Sequence, residues 1–321
     1  MVWIGIAGIA AVCAALTVYA GLLVYNVAVR RAPKTVYIAK SGGKGGPPPV
    51  AGASWGEGQR WIAGRNFTNW ELTAPDGLKL RGYWLPSDRA EGRTAIIAHG
   101  YSGKAKDMGA YARIYHEVLG FHVLLPDARG HGESGGDYIG FGWQERLDYA
   151  GWIRRVLEET GPESEVVLHG VSMGAATVLM AAGEELPPQV KAVVADCAYT
   201  SAAAELAYQM RRLYRLPSFF PVLDGAGLVT RIRAGYSLRE ASALRQVAKA
   251  KTPILFIHGE ADTFVPVGMM EELYAACRSE KERWSVPGAG HGKSYDQDPE
   301  AYVRRVCDFV LRHLRGRAQK P

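Results

Sequence analysis

Residues 166 to 174 read Val-Val-Leu-His-Gly-Val-Ser-Met-Gly, a β-branched apolar run that flows straight into Gly-x-Ser-x-Gly. A run of small residues at helical spacing follows, from Ala175 to Met180. This order places a serine on a tight turn between a buried strand and a helix, the arrangement called a nucleophile elbow. Gly170 and Gly174 fit such a turn because side chains there would collide. The helix behind Ser172 presents unpaired N–H groups and a positive dipole end where a developing oxyanion would sit.

A serine hydroxyl is a weak nucleophile at neutral pH unless a base stands beside it. Pro253 to Gly259 (Pro-Ile-Leu-Phe-Ile-His-Gly) reads as a buried strand, with Asp262 in the loop beyond it. Trp284 to Val286 reads as a short strand that precedes Pro-Gly-Ala-Gly and His291. Ser172, Asp262 and His291 thus each lie just past the C-terminal end of an expected strand, the edge where open α/β sheets place their chemistry. In these roles His291 takes the serine proton, and Asp262 fixes the tautomer and stabilises the imidazolium. Thr94 to Gly100 is a further buried strand running into His-Gly, so the backbone N–H groups of Tyr101 and Met173 are the expected oxyanion donors. Asp196, after the strand Ala192-Val-Val-Ala-Asp, is the rival acid.

Together these segments resemble the α/β-hydrolase superfamily. The matching motifs are the His99-Gly100 loop, Asp127-Ala-Arg-Gly-His-Gly-Glu-Ser134, the elbow, His258-Gly-Glu-Ala-Asp262 and Gly290-His291. They span residues of about 70 to 315. The resemblance implies a mostly parallel eight-stranded sheet with helices on both faces, and serine-hydrolase chemistry. It also favours Asp262 over Asp196, because the superfamily most often places its acid in that later loop. Tyr138-Ile-Gly-Phe-Gly-Trp-Gln-Glu-Arg146 is similar to a bacterial subgroup of membrane-anchored hydrolases and brings no substrate with it.

Val2 to Val29 carries no charged residue and exceeds the ~20 apolar residues that a bilayer span needs. Residues 1–31 are therefore expected to be a single-pass membrane anchor. Cleavage near Thr17-Val-Tyr-Ala20-Gly21 as a signal peptide is the alternative. Arg30, Arg31 and Lys34 follow directly, and the positive-inside rule then puts the catalytic domain in the cytoplasm. Setting aside Cys13 in the span, Cys197, Cys277 and Cys307 are an odd, widely spaced set that gives no disulfide framework. The net charge of +6 suits a protein beside anionic lipid. No basic stripe interleaved with aromatics points to nucleic acid.

Residues 32–60, rich in glycine and proline, read as a linker, and 61–321 as one large domain. Asn69–Thr73 and Leu78–Trp84 read as its opening hairpin. Thr200 to Lys251 separates two expected strands by far more than one helix needs, and connections this long are usually functional. It is read as a small helical cap, about 200–251, with Phe219 and Phe220 in the substrate pocket. The other reading of this segment is extra helical covering. Gly288-Ala-Gly-His-Gly-Lys-Ser294 mimics a phosphate loop but encloses one residue too few. No Cys/His metal spacing and no cofactor motif is present.

The expected function is a membrane-anchored serine hydrolase that cleaves carboxylic esters, lipid-derived acyl esters among them, through an acyl-enzyme on Ser172. A serine peptidase, a thioesterase or an acyltransferase would use the same machinery. A catalytically silent binding protein on this fold is the reading from another class. The oligomeric state is left open.

Overall fold

The apolar runs of the sequence become the strands of one sheet in the computed structural model, which describes residues 2–31, 53–215 and 221–314. The strands are β1 (Thr68–Thr73), β2 (Lys79–Leu85), β3 (Arg93–Ala98), β4 (His122–Pro126), β5 (Glu165–Val171), β6 (Val190–Asp196), β7 (Ile254–Gly259) and β8 (Lys281–Val286). Their spatial order is β1-β2-β4-β3-β5-β6-β7-β8. The β2 strand runs antiparallel to β1 and β4, and all other neighbours are parallel. The hairpin turns at Gly77, whose φ of +83° only glycine adopts readily.

Parallel strands buried on both faces need apolar residues at every position, not at alternate ones. In β5, Val166 and Leu168 enter one core while Val167 and Val171 enter the other. Ile96 and Ala98 of β3 divide from Ala95 and Ile97 in the same way. Helices cover both faces. The first core receives α4 (Glu145–Thr160) and α5 (Met173–Ala182), and the second receives α2 (Ala53–Ala63), α3 (Gly109–Arg113) and α11 (Pro299–His313). All ten residues of α5 are buried, so it is apolar all round rather than amphipathic.

The chain between β6 and β7 forms α6 (Ala202–Tyr214), α7 (Val222–Ala234) and α8 (Ala243–Val247). The Ser201 hydroxyl caps α6 by accepting from the Ala204 N–H, and Gly235 ends α7 in the left-handed conformation. Of the three, α8 lies against α5: a Cβ on Gly183 would stand 2.5 Å from the Gln246 carbonyl oxygen. The short helix thus belongs to the layer covering the sheet, and α6 and α7 are the cap. Phe219 and Phe220, expected in the substrate pocket, lie outside the described residues.

The apolar N-terminus is one long helix, α1 (Val2–Val24), continued by a wider turn over Tyr25–Val29. Its first half is exposed, whereas Tyr25, Ala28 and Val29 are buried against the domain. It crosses α7 at very short range. A Cβ on Gly21 would lie 2.3 Å from the Gly225 carbonyl carbon, and one on Gly225 would lie 2.2 Å from the Thr17 oxygen. The Val29 carbonyl then accepts from the Ile139 N–H at 2.8 Å. The Arg31 guanidinium donates to the carbonyls of Gly132 and Ser134, both at 2.8 Å. The Tyr138–Arg146 segment that set the chain apart in sequence is therefore where the end of α1 docks.

The expected linker is shorter than 32–60, because α2 begins at Ala53. Two glycines hid this helix from the sequence reading, since glycine is a poor helix former. Gly58 is there for contact: its Cβ would stand 2.4 Å from the Ala110 nitrogen, so α2 and α3 touch backbone to backbone.

Candidate active site

The turn after β5 is as tight as the sequence demands. Ser172 sits at φ +56°, ψ −117°, a conformation that costs a non-glycine residue about 1–3 kcal/mol. A Cβ on Gly170 would lie 2.2 Å from the Gly174 oxygen, and one on Gly174 would lie 2.1 Å from the Ala98 oxygen. No flexible side chain stands in the way that could yield, so both positions require glycine. The Ser172 N–H donates to the Asp196 carbonyl at 2.8 Å, which ties the elbow to β6.

Three side chains from three loops meet at this turn. The Ser172 Oγ lies 2.8 Å from His291 Nε2. His291 Nδ1 lies 2.7 Å from Asp262 Oδ2. The other oxygen of Asp262 accepts from the backbone N–H groups of Phe264 and Val265, at 2.8 and 2.9 Å. His258 Nε2 stands 3.3 Å from the same Oδ2 that faces His291. Burial alone would raise the Asp262 carboxyl, but the hydrogen bonds from His258 and His291 outweigh it and hold it well below the usual carboxylate range. An ionised Asp262 keeps the proton of neutral His291 on Nδ1 and leaves the Nε2 lone pair facing Ser172. The Phe264 ring lies 4.9 Å from the His291 ring and shields it from water.

Asp196 is placed elsewhere. Its carboxylate accepts from the Ser294 hydroxyl at 2.9 Å and the Tyr302 hydroxyl at 3.1 Å. Burial raises it to about 6, against these hydrogen bonds.

The loop expected to carry oxyanion donors lies against the elbow. A Cβ on Gly100 would be 3.6 Å from the Ser172 Cβ. The Met173 N–H belongs to the first turn of α5, where helical N–H groups have no intrahelical acceptor. Tyr101 turns its ring against Phe141, and its hydroxyl donates to the Ala28 carbonyl at 2.6 Å. The sequence gives no signal for that last contact, which joins this loop to the end of α1.

The other histidines are structural. His99 Nε2 accepts from the Ala128 N–H, His131 Nε2 faces the Tyr101 carbonyl, and His258 Nε2 faces the Val265 carbonyl. His169 sits between the hydroxyls of Tyr115 and Tyr302 instead. The glycine-rich 127–135 loop is held by Asp127, which accepts from the N–H groups of Ala105 and Glu133. Arg129 makes a two-pronged contact with buried Asp148. Among the described residues, the one grouping with metal-ligand types is Cys197, Asp262 and His291. Both Asp262 oxygens and both His291 ring nitrogens already have protein partners there.

Glu205 was missed by the sequence reading. It lies on α6, is buried, and takes a hydrogen bond from Gln209 on one oxygen, while the other has no hydrogen-bond partner among the described residues. Burial pushes its carboxyl up to about 8.

The profile of the alpha/beta hydrolase family matches residues 95–305. This chain belongs to that family. It is 33% identical over 235 residues to the uncharacterized protein YqkD of Bacillus subtilis (strain 168), covering 73% of this chain and 76% of that protein. It is 23% identical over 266 residues to the uncharacterized membrane protein YNL320W of Saccharomyces cerevisiae, covering 80% and 86% of the two chains. Among solved structures it is similar to the Pyrococcus furiosus esterase Pf2001. The TM-score is 0.62 and the identity 26%, over 84% of this chain and 98% of that one. Membership makes the chain a hydrolase by family, and α1 is long and apolar enough to cross a membrane.

Proposed function

We propose that the protein is a membrane-anchored serine hydrolase that cleaves carboxylic esters of lipophilic acyl groups. The observation that carries this reading is the unbroken relay from Ser172 Oγ through His291 to Asp262, at 2.8 and 2.7 Å. The Ser172 oxygen attacks the acyl carbon while its proton passes to His291 Nε2. The N–H groups of Tyr101 and Met173 receive the oxyanion. Collapse expels the alcohol, which takes the proton from His291 and leaves the acyl group on Ser172. Water then gives a proton to His291 and attacks the acyl carbon. The carboxylic acid leaves as Ser172 recovers its proton. Asp262 remains a carboxylate throughout and balances the imidazolium charge.

In this reading α1 crosses the membrane once, with the catalytic domain on the cytoplasmic side. Basic residues directly after α1 support that orientation, which reporter fusions after Pro321 would check: a dark fluorescent protein with an active phosphatase would reverse it. The esterase name of the Pyrococcus structure supports the hydrolytic part of this reading, and the membrane name of the yeast protein supports the anchor. Hydrolysis of p-nitrophenyl butyrate by the full chain tests the chemistry. Ser172→Ala is expected to lower kcat by roughly 10⁶-fold, the scale of losing the nucleophile of a triad. Turnover at the wild-type rate would refute the assignment.

A further inference from the structure

A cavity of about 330 Å³ lies between α1 and the cap. One wall is Ala20, Val24 and Ala28 from the end of the apolar helix; the other is Leu206, Met210 and Val222 from α6 and the start of α7. Its size falls in the range of about 300–1,000 Å³ typical of ligand pockets, and its lining is almost wholly apolar.

Two hydrogen bonds connect the walls to the active site. Ala28 accepts from Tyr101, the residue after the glycine that packs on Ser172. Gln209, also in the lining, donates to the carbonyl of Phe264, whose ring covers His291. The α1 wall belongs to the helix that is apolar enough to span a bilayer. The cap carries exposed apolar side chains as well: Tyr214 is 64% exposed, Leu228 50% and Ile232 74%. Arg211, Arg212, Arg231 and Arg233 flank them on the same two helices. Aromatic and aliphatic groups beside basic ones suit the headgroup boundary of a membrane.

Resting on the serine-hydrolase reading, we propose that this cavity is the acyl-chain site and that the anchor helix is one of its walls, so that the substrate's chain enters from the bilayer along α1. The substrate class is then a membrane-resident ester with a long acyl chain. A freely soluble short-chain ester would react at Ser172 without filling the cavity. The anchor is thus part of the binding site as well as a tether. The short approach of Gly21 and Gly225 holds it at the cap, just beside the cavity.

The full chain, reconstituted in phosphatidylcholine vesicles, is treated with ethyl and dodecyl fluorophosphonates, and the labelling rate of Ser172 is followed with each. Val24→Trp and Met210→Trp fill the cavity from opposite walls. Leu16→Trp alters the exposed face of the same helix and serves as the control. The dodecyl-to-ethyl rate ratio is expected to fall about tenfold in both filling variants, the loss from excluding about two methylenes, and to hold in the control. An unchanged ratio in both filling variants would overturn the acyl site while leaving the serine chemistry standing. Failure of both reagents to label the wild type would sink the serine reading and this inference with it. A dodecyl reagent with a terminal diazirine gives a readout free of substitutions. Photolysis should attach it within residues 20–28 or 206–214 or at Val222, and attachment confined to residues of the sheet or of the face opposite the cap would refute the assignment.

Discussion

The acid of the relay shows how one position is chosen over another of the same chemistry. Asp196 and Asp262 both follow a buried strand, and both end near the elbow. Only Asp262 reaches His291; Asp196 spends its oxygens on Ser294 and Tyr302. Asp262→Asn is expected to lower kcat by about 10⁴ with little change in KM, because an amide no longer fixes the His291 tautomer. Asp196→Asn should cost stability instead and leave kcat within about tenfold. Steady-state kinetics on the two variants, with melting curves, separates these outcomes, and a reversed order would move the acid to β6. The relay residues are legible in the sequence because each is a short step past an apolar strand with a glycine beside it. His258 on Asp262, Glu205 in the cap and the Tyr101 hydroxyl on Ala28 are not legible. The last joins residues far apart in the chain, and the first two depend on burial and side-chain orientation that no sequence pattern carries.

At the scale of elements, β3, β5, β6 and β7 are read from the sequence to within two residues at each end. Burial on both faces leaves an unbroken apolar run, as in Val166–Leu168. The β8 strand instead begins at Lys281, three residues before the expected Trp284, because Lys281-Glu-Arg carries no apolar run. Helix α2 is obscured because its glycines serve packing rather than turning. The α1–α7 crossing is hidden for the same reason. Gly21 reads as one more small residue in an apolar span and Gly225 as a weak helix former, until the structure brings them together. Gly225→Leu is expected to destabilise the full chain by about 1–3 kcal/mol, the usual cost of overpacking, since its Cβ would meet the Thr17 carbonyl. Thermal melts in detergent check this. An unchanged melting temperature would mean that α1 does not pack on α7 in solution.

Across the whole molecule, buried ionisable groups set opposing limits on stability. Burial raises the carboxyls of Asp196 to about 6, Glu145 to about 7 and Glu205 to about 8, above their ordinary values of 3.8, 4.5 and 4.5. Their contribution is complete below the unfolded values and is lost as pH rises through the folded ones. His169 runs the other way. Burial lowers it from 6.5 to about 3, so its contribution is present above 6.5 and lost as pH falls. Three carboxyls outweigh one histidine, so the melting temperature should peak at about pH 4, where the unfolded carboxyls begin to ionise, and decline as pH rises to about 8. Glu205→Gln should flatten the alkaline decline, because an amide has no proton to lose; a decline as steep as the wild type's would show that Glu205 does not titrate in the folded protein. All of this polar machinery hangs from one sheet edge, and the account stands or falls on the serine placed there. The most direct measurement is peptide-level mass spectrometry of the full chain after reaction with a fluorophosphonate. The account predicts one adduct per chain, on the peptide containing Ser172, and none in Ser172→Ala. An adduct on another residue, or equal labelling of the alanine variant, would contradict it.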